Sequence, residues 1–419
     1  MSKVTFSPFL IFLLCIGITS HSLQAKVLSG RFVKNFAQLR DDLTKSELAK
    51  VKAGHSLFSK PWVQPPSSTF LRNGLGPHFN AVSCMSCHPG FGRGAPPHVV
   101  HPKDPALLFK VRSINKNQES SYGDQIQPMA IIGITPEAAV QIEYTQTFNG
   151  KLIKPHYQLK DYQFGPLKSN EYLSPRIAPH LAGLGLLNRI KEEDILENQR
   201  NGGKARLIKG RVGRFGWKAD RIDLRHQVAA AFQGDLGITN PLFSNQPCTE
   251  EQIDCLNSPN GIEEEHQFEI SEKHMGFVVD LMDAIDAPKR QIDPDKISFI
   301  EKGSTLFQKI NCQSCHRESY QLDDRVISPY TDLLLHDMGE GLASERSDRD
   351  SYMWKTPPLW GLGSQKKVNS HTRLLHDGRA RNIEEAILWH GGEATMSREA
   401  YLKLSKTEKA ELHYFLESL

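Results

Sequence analysis

The sequence predicts a mainly α chain of two units, and three observations carry that expectation. The pentad Cys-x-x-Cys-His occurs twice, as Cys84-Met85-Ser86-Cys87-His88 and as Cys312-Gln313-Ser314-Cys315-His316. A similar stretch precedes each pentad, Ala53-Gly54-His55-Ser56-Leu57-Phe58 before the first and Lys302-Gly303-Ser304-Thr305-Leu306-Phe307 before the second, which marks an internal repeat. The chain closes on Ser405-Lys406-Thr407-Glu408, a capping-box pattern, followed by Leu412, Phe415, Leu416 and Leu419 on one helical face.

The first 25 residues read as a signal peptide: Lys3, an apolar run from Phe9 to Ile18, polar Ser20 to Ser22 and a small Ala25 before a mature start near Lys26. The apolar run is about half of the ~20 residues a spanning helix needs, so no stable membrane span is expected. Cys15 lies in that run behind Leu14, where lipid attachment would need a small residue, and is lost with the leader. The expected compartment is the periplasm. Across 419 residues, 51 Lys+Arg oppose 48 Asp+Glu for a formal charge of +3, and no basic tract is interleaved with aromatics, which argues against a nucleic-acid partner.

The first domain is placed at 26–290. Each repeat reads as a helix end that brings a Leu-Phe pair toward its pentad, and the first copy carries Pro and Gly residues between Trp62 and Pro77 that lengthen its loop. A large insertion follows from Phe109 to about Asn260, with a helical pattern around Lys191 to Gln199 and short strands near Ala130 to Ile134 and Val140 to Tyr144. Glu263 to Asp286 reads as one long amphipathic helix, with Phe277, Leu281 and Ile285 at fourfold spacing and Pro288 ending it. Ala287 to Arg290 is the linker, and the second domain is placed at 291–419.

The pentads carry the chemistry. Covalent haem c needs two thiols about one helical turn apart to meet the two vinyl groups, and a His directly after the second to reach the iron. A redox dithiol or half of a zinc site would leave the adjoining His of both copies unexplained. Two haem c groups are therefore expected, on Cys84, Cys87 and His88 and on Cys312, Cys315 and His316, with His88 and His316 as proximal iron ligands. The architecture becomes two cytochrome c-like haem domains, the first with a large insertion containing short strands. Cys248 and Cys255, the remaining cysteines of the mature chain, can pair in an oxidising compartment.

The second axial positions are less determined. Asn382 can cap a helix in which Ile383, Ala386, Ile387 and His390 share one apolar face, which favours His390 as the second ligand of the C-terminal haem, with Met396, Met338 and His336 as rivals. For the first haem, His98, His101, His55 and His78 are available and none stands out; an open position would suit a site that meets a small oxidant. Arg93, in Gly92-Arg93-Gly94, could bond a propionate or a bound oxygen, or simply hold a turn. Asp323, Asp324, Asp332, Asp337 and Glu340 could seat Ca²⁺, or form a solvated loop.

Several runs carry a resemblance to a family: Gly213-Arg214-Phe215-Gly216-Trp217-Lys218-Ala219, Tyr330-Thr331-Asp332-Leu333-Leu334-Leu335-His336-Asp337-Met338-Gly339, Thr356-Pro357-Pro358-Leu359-Trp360-Gly361-Leu362-Gly363 and Leu375-His376-Asp377-Gly378-Arg379-Ala380-Arg381. Together with Ile383 to Ile387 these resemble the di-haem oxidoreductases labelled thiol oxidoreductases, over nearly all of the mature chain. The C-terminal unit is more distantly similar to bacterial di-haem cytochrome c peroxidases, whose spacing maps the second ligand from His376 onto His390. Those peroxidases commonly hold Met there. The resemblance implies a peroxidase-like oxidoreductase that passes electrons between two haems, with a small redox protein as donor or acceptor and a small oxidant such as hydrogen peroxide. A non-catalytic electron carrier, and an oxidase of thiols or of a partner protein, are the alternatives.

Overall fold

The computed structural model describes residues 35–69, 71–97, 105–114, 119–262, 267–344 and 349–419. The expected leader, His98 and His101 lie outside them. With 35% helix and 17% strand the chain is mixed rather than mainly α. The difference comes from the insertion, whose β-branched and aromatic residues pair into ladders that a weak alternation had indicated only in part.

Helix α1 (Lys45–Ser59) opens on a complete capping box, in which the Thr44 hydroxyl accepts from Glu47 N–H and the Glu47 carboxylate accepts from Thr44 N–H. Strand β1 (Leu107–Ser113) is central in a small antiparallel sheet, between β2 (Gln125–Ile126) and the buried β5 (Glu171–Ile177). Between β2 and β5 the hairpin β3 (Ala139–Thr147) and β4 (Leu152–Lys160) runs in nine-residue register, with Leu152, Pro155 and Tyr157 of β4 turned inward.

Helix α2 (Leu224–Leu236) is capped by Asp223, and α3 (Glu272–Ala284) by Ser271. The long helix expected from Glu263 is thus shorter: the Ser271 hydroxyl takes the His274 N–H, which fixes the helix start there, and Ile285 is already extended. The helical pattern around Lys191 becomes a single α turn over Glu192–Glu197 and a 3-10 turn over Asn198–Asn201. Helix α4 (Ile297–Lys309) precedes the second pentad; β6 (Leu335–Asp337) pairs with β7 (Met353–Lys355); α5 (Ile383–Leu388) is capped by Asn382, and α6 (Lys406–Ser418) closes the chain on the expected Ser405 and Glu408 box.

The internal repeat is structural. Helix α1 packs on α3, and α4 packs on α6, and each crossing is built over the repeated glycine. A Cβ on Gly54 would collide with the Phe277 carbonyl oxygen, and one on Gly303 with that of Glu411. Beside each crossing the Leu-Phe pair is buried, Leu57 and Phe58 in one copy and Leu306 and Phe307 in the other, each side chain contributing about 1.5–3 kcal/mol. The two hydrophobic clusters both draw on residues before and after the 287–290 stretch: Leu281 shares one with Leu333, and Leu107 shares the other with Phe415. No helix among the described residues is long and apolar enough to cross a membrane.

Candidate functional site

The two pentads open onto one cavity of about 410 Å³. Residues Cys84–Cys87 form a single helical turn, started by the Ser83 hydroxyl accepting from Ser86 N–H, which sets the two thiols one turn apart. Residues Cys312–Ser314 form a 3-10 turn entered through Asn311 at φ 63°. Cys87 and His88 of the first pentad and Cys312, Cys315 and His316 of the second all line it.

Both pentad histidines are tied by one nitrogen. His88 Nδ1–H donates to the Pro179 carbonyl at 2.8 Å, and His316 Nδ1–H to that of Tyr330 at 3.0 Å. This leaves each Nε2 lone pair for a metal, with the ring orientation fixed by the outer bond. Burial pushes both imidazoles down to about 4, so each is neutral at neutral pH, the form that ligates.

His390 repeats the pattern. The Asn382-capped α5 ends beside it, its Nδ1–H donates to the Ala386 carbonyl at 2.6 Å, and burial lowers its pKa. The His316 and His390 rings face each other with centroids 6.5 Å apart. That separation admits one metal ion at ordinary imidazole distances of about 2.0–2.1 Å on each side. The rivals are placed differently. Met396 is 79% exposed, and Met338 lines the cavity. His336 has both nitrogens engaged, Nε2 with Asp332 at 2.8 Å and Nδ1 with Glu393 at 2.7 Å. Although burial lowers its pKa, the bond to Asp332 leads the effects that raise it to about 11. It stands 3.5 Å from Cys315 Sγ.

Near the first pentad, His55 lies against Phe91, and His78 spends its Nε2 on the Thr135 carbonyl; neither lines the cavity. Two histidines that the sequence did not single out for this place do, His180 and His376. His376 Nδ1–H donates to the Pro175 carbonyl at 2.9 Å, its ring stacks on Trp354 at 3.7 Å, and its Nε2 is buried with no partner. The neighbouring Asp377 pairs with Arg379 at 2.8 Å and accepts the Tyr157 hydroxyl at 2.9 Å. The signal for His376 was present in the Leu375 to Arg381 run, where it had served only to measure the distance to His390.

Arg93 is buried, donates to the Leu375 carbonyl, and leaves its Nε unpartnered; Arg176 leaves Nε and Nη2 unpartnered. Both line the cavity, and burial brings both down to about 10, so they stay cationic. Cys248 and Cys255 form the expected disulfide. Of the five acidic residues, Asp324 pairs with Arg189, Asp323 with Lys191 and Asp332 with His336. Among the described residues the five do not gather with one another, although Asp332 lies with Cys315 and His336 in a group whose ligand atoms are all within 4.8 Å of one another.

A family model described as "Di-haem oxidoreductase, putative peroxidase" matches residues 19–116 and 162–419. The chain belongs to this di-haem oxidoreductase family. Haem is accordingly the cofactor of this di-haem oxidoreductase, and the cavity fits it: two sets of thiols with an adjoining neutral imidazole, apolar walls, and buried guanidinium nitrogens suited to propionates. The segment 117–161, which the family match leaves out, holds the β3–β4 hairpin and Tyr157. No curated protein matches the sequence. Among solved structures, hydrazine synthase of Kuenenia stuttgartiensis is similar at 14% identity and a TM-score of 0.37, covering 99% of this chain and 100% of that one. A MauG-like protein associated with microbial copper homeostasis is similar at 15% identity and 0.33, covering 60% of this chain and 75% of that one. Neither likeness is close enough to bear on the chemistry.

Proposed function

We propose that the chain is a periplasmic di-haem c-type oxidoreductase of peroxidase-like activity, in which Cys84 and Cys87 hold one haem and Cys312 and Cys315 the other. Two cytochrome c-like units, residues 26–290 and 291–419 after a cleaved leader, form it. The observation that carries this reading is the pair His316 and His390 at 6.5 Å, whereas among the described residues no second histidine ring is found against His88. When bound, iron supplies one-electron chemistry and the binding of a small oxidant such as hydrogen peroxide.

The protein's own residues do the rest. His88 and His316 present neutral Nε2 atoms whose direction is set by the Pro179 and Tyr330 carbonyls. His390 would be the second imidazole to hold the C-terminal haem iron, and a strong imidazole donor would favour a low-spin, low-potential centre suited to relaying electrons. Arg176, with Nε and Nη2 unpartnered at the cavity wall, would hold a haem carboxylate, and Arg93 adds a second buried cation to that wall. A small redox protein exchanges electrons with the C-terminal site, and the small oxidant is met at the first. The Cys248–Cys255 disulfide supports an oxidising compartment.

The test is the spin state of each haem in the oxidised and half-reduced protein, with added imidazole or cyanide. A C-terminal haem that stays low-spin while the first binds the added ligand is the expected result. Two low-spin centres indifferent to every added ligand would instead make the protein an electron carrier.

A further inference from the structure

The geometry points to His376 as the base that takes the proton from a small protic ligand bound at the first site. This rests on the proposed reading that the first haem keeps an open face. The chemical class is a weak acid HX that binds as its anion, such as hydrogen peroxide or hydrogen cyanide.

The position is tied to the first pentad by two routes. The strand β5 and its continuation carry both anchors, the Pro175 carbonyl for His376 Nδ1 and, four residues on, the Pro179 carbonyl for His88 Nδ1. Ile177 N–H also donates to the His376 carbonyl at 2.6 Å. On the other side, Arg93, five residues past His88, donates to the carbonyl of Leu375. His376, Arg93 and His88 therefore share one end of the cavity wall.

The ring is held for one task. Its Nδ1 proton is committed to a carbonyl, so the imidazole cannot turn over and Nε2 must be the acceptor. The stack on Trp354, nearly parallel at 9°, fixes its plane. Trp354 is itself held by its Nε1–H on the Leu342 carbonyl, with Lys218 Nζ 3.6 Å from its ring. Next in sequence, Asp377 is clamped by Arg379 and by the Tyr157 hydroxyl. A buried polar atom with no partner costs about 1–3 kcal/mol, a cost offset when a ligand supplies a donor. Burial pushes the imidazole of the empty site down to about 3, so its lone pair is available, and the negative charge of the bound anion beside Nε2 is what then holds the transferred proton there.

In the step itself the H–X bond breaks, the proton moves to Nε2 of His376, and the electron pair stays on X. The new anion lies in a wall that already holds the Arg93 guanidinium with a free Nε. On release of the ligand the proton returns by the same path, so the base is not consumed.

The experiment uses the oxidised two-haem protein with cyanide, and the reduced protein with carbon monoxide, which carries no proton. In weak buffer at neutral pH, binding of hydrogen cyanide by the natural protein should release no proton to an indicator dye. His376→Gln should release one proton per cyanide bound and slow cyanide association on the order of 100-fold, the scale of a lost general base. Carbon monoxide binding and the count of two haems should not change. Proton release by the natural protein, unaltered cyanide association in the variant, or an equal loss of carbon monoxide binding would each overturn the assignment. So would a first haem that turns from low-spin to high-spin in His376→Gln, since His376 would then be an iron ligand. A natural protein whose first haem takes no cyanide at all would defeat the open-face reading itself.

Discussion

His316 and His390 present their rings to each other at 6.5 Å, each with Nδ1 spent on a main-chain carbonyl. On the proposed reading, two imidazoles so arranged would make a strong-field pair at one iron. Replacing His390 with Met should raise the midpoint potential of the C-terminal haem on the order of 100 mV, within the ~0.8 V range that axial ligands command. His390→Gly should leave a high-spin centre that added imidazole returns to low-spin. Potentiometry and spectroscopy that match the natural protein in both variants would assign the place to Met338.

On the proposed reading, each pentad holds one haem covalently. Mass spectrometry of the mature protein should show two haem increments that survive acid extraction, and the double replacement of Cys312 and Cys315 by Ala should show one. Two increments in that variant would mean that the thiols lie elsewhere.

The helix crossings at Gly54 and Gly303 have no room for a side chain. Gly54→Ala and Gly303→Ala should each lower stability by about 1–3 kcal/mol through forced separation of the helices, despite Ala's better helix propensity. The two crossings share no partner, so the costs should add in the double variant. Denaturant midpoints measured on the two-haem protein check this.

Glu137 is fully buried, and its carboxyl accepts from Gln127 N–H at 2.7 Å and from the Gln252 amide at 2.6 Å. Burial raises its pKa from 4.5 to about 8. A folded pKa above the unfolded one means that the folded state binds more protons between those values, so stability should fall as pH rises from about 4.5 to 8. Glu137→Gln should flatten that part of the profile, read as unfolding midpoints across the range. An equal slope in both proteins would remove Glu137 as its source.

Residues that act through neighbours in sequence were legible before any coordinates. The pentads, the Ser405 box and the Asn382 cap all depend on spacings of three or four residues, and each stands where those spacings put it. The disulfide was legible by elimination, because few cysteines remained. What sequence could not show depends on contacts across long stretches of chain. The anchors of His88 and His316 are carbonyls, which every residue carries, so no residue type announces them. Arg176, on β5, and His376, anchored on the β5 residue Pro175, become cavity residues only because β5 is laid along the cavity wall. The β3–β4 hairpin was half visible: Val140 to Tyr144 was found, but its partner contains Pro155, which weakens a strand pattern and is tolerated here in a two-stranded ladder.

The shared cavity also sets an order of events for biogenesis. Its walls come from residues on both sides of 290, and the four thiols sit at or near its lining, so the lining is complete only once both parts of the chain have come together. On the proposed reading, covalent attachment on an exported chain is easiest before those parts close together. The porphyrins then act as the last hydrophobic side chains to be added, and the polypeptide collapses around them. A cell that exports this chain but lacks the ligation machinery would accumulate a hollow protein, open to its proteases, and the haem supply would govern how much of it survives.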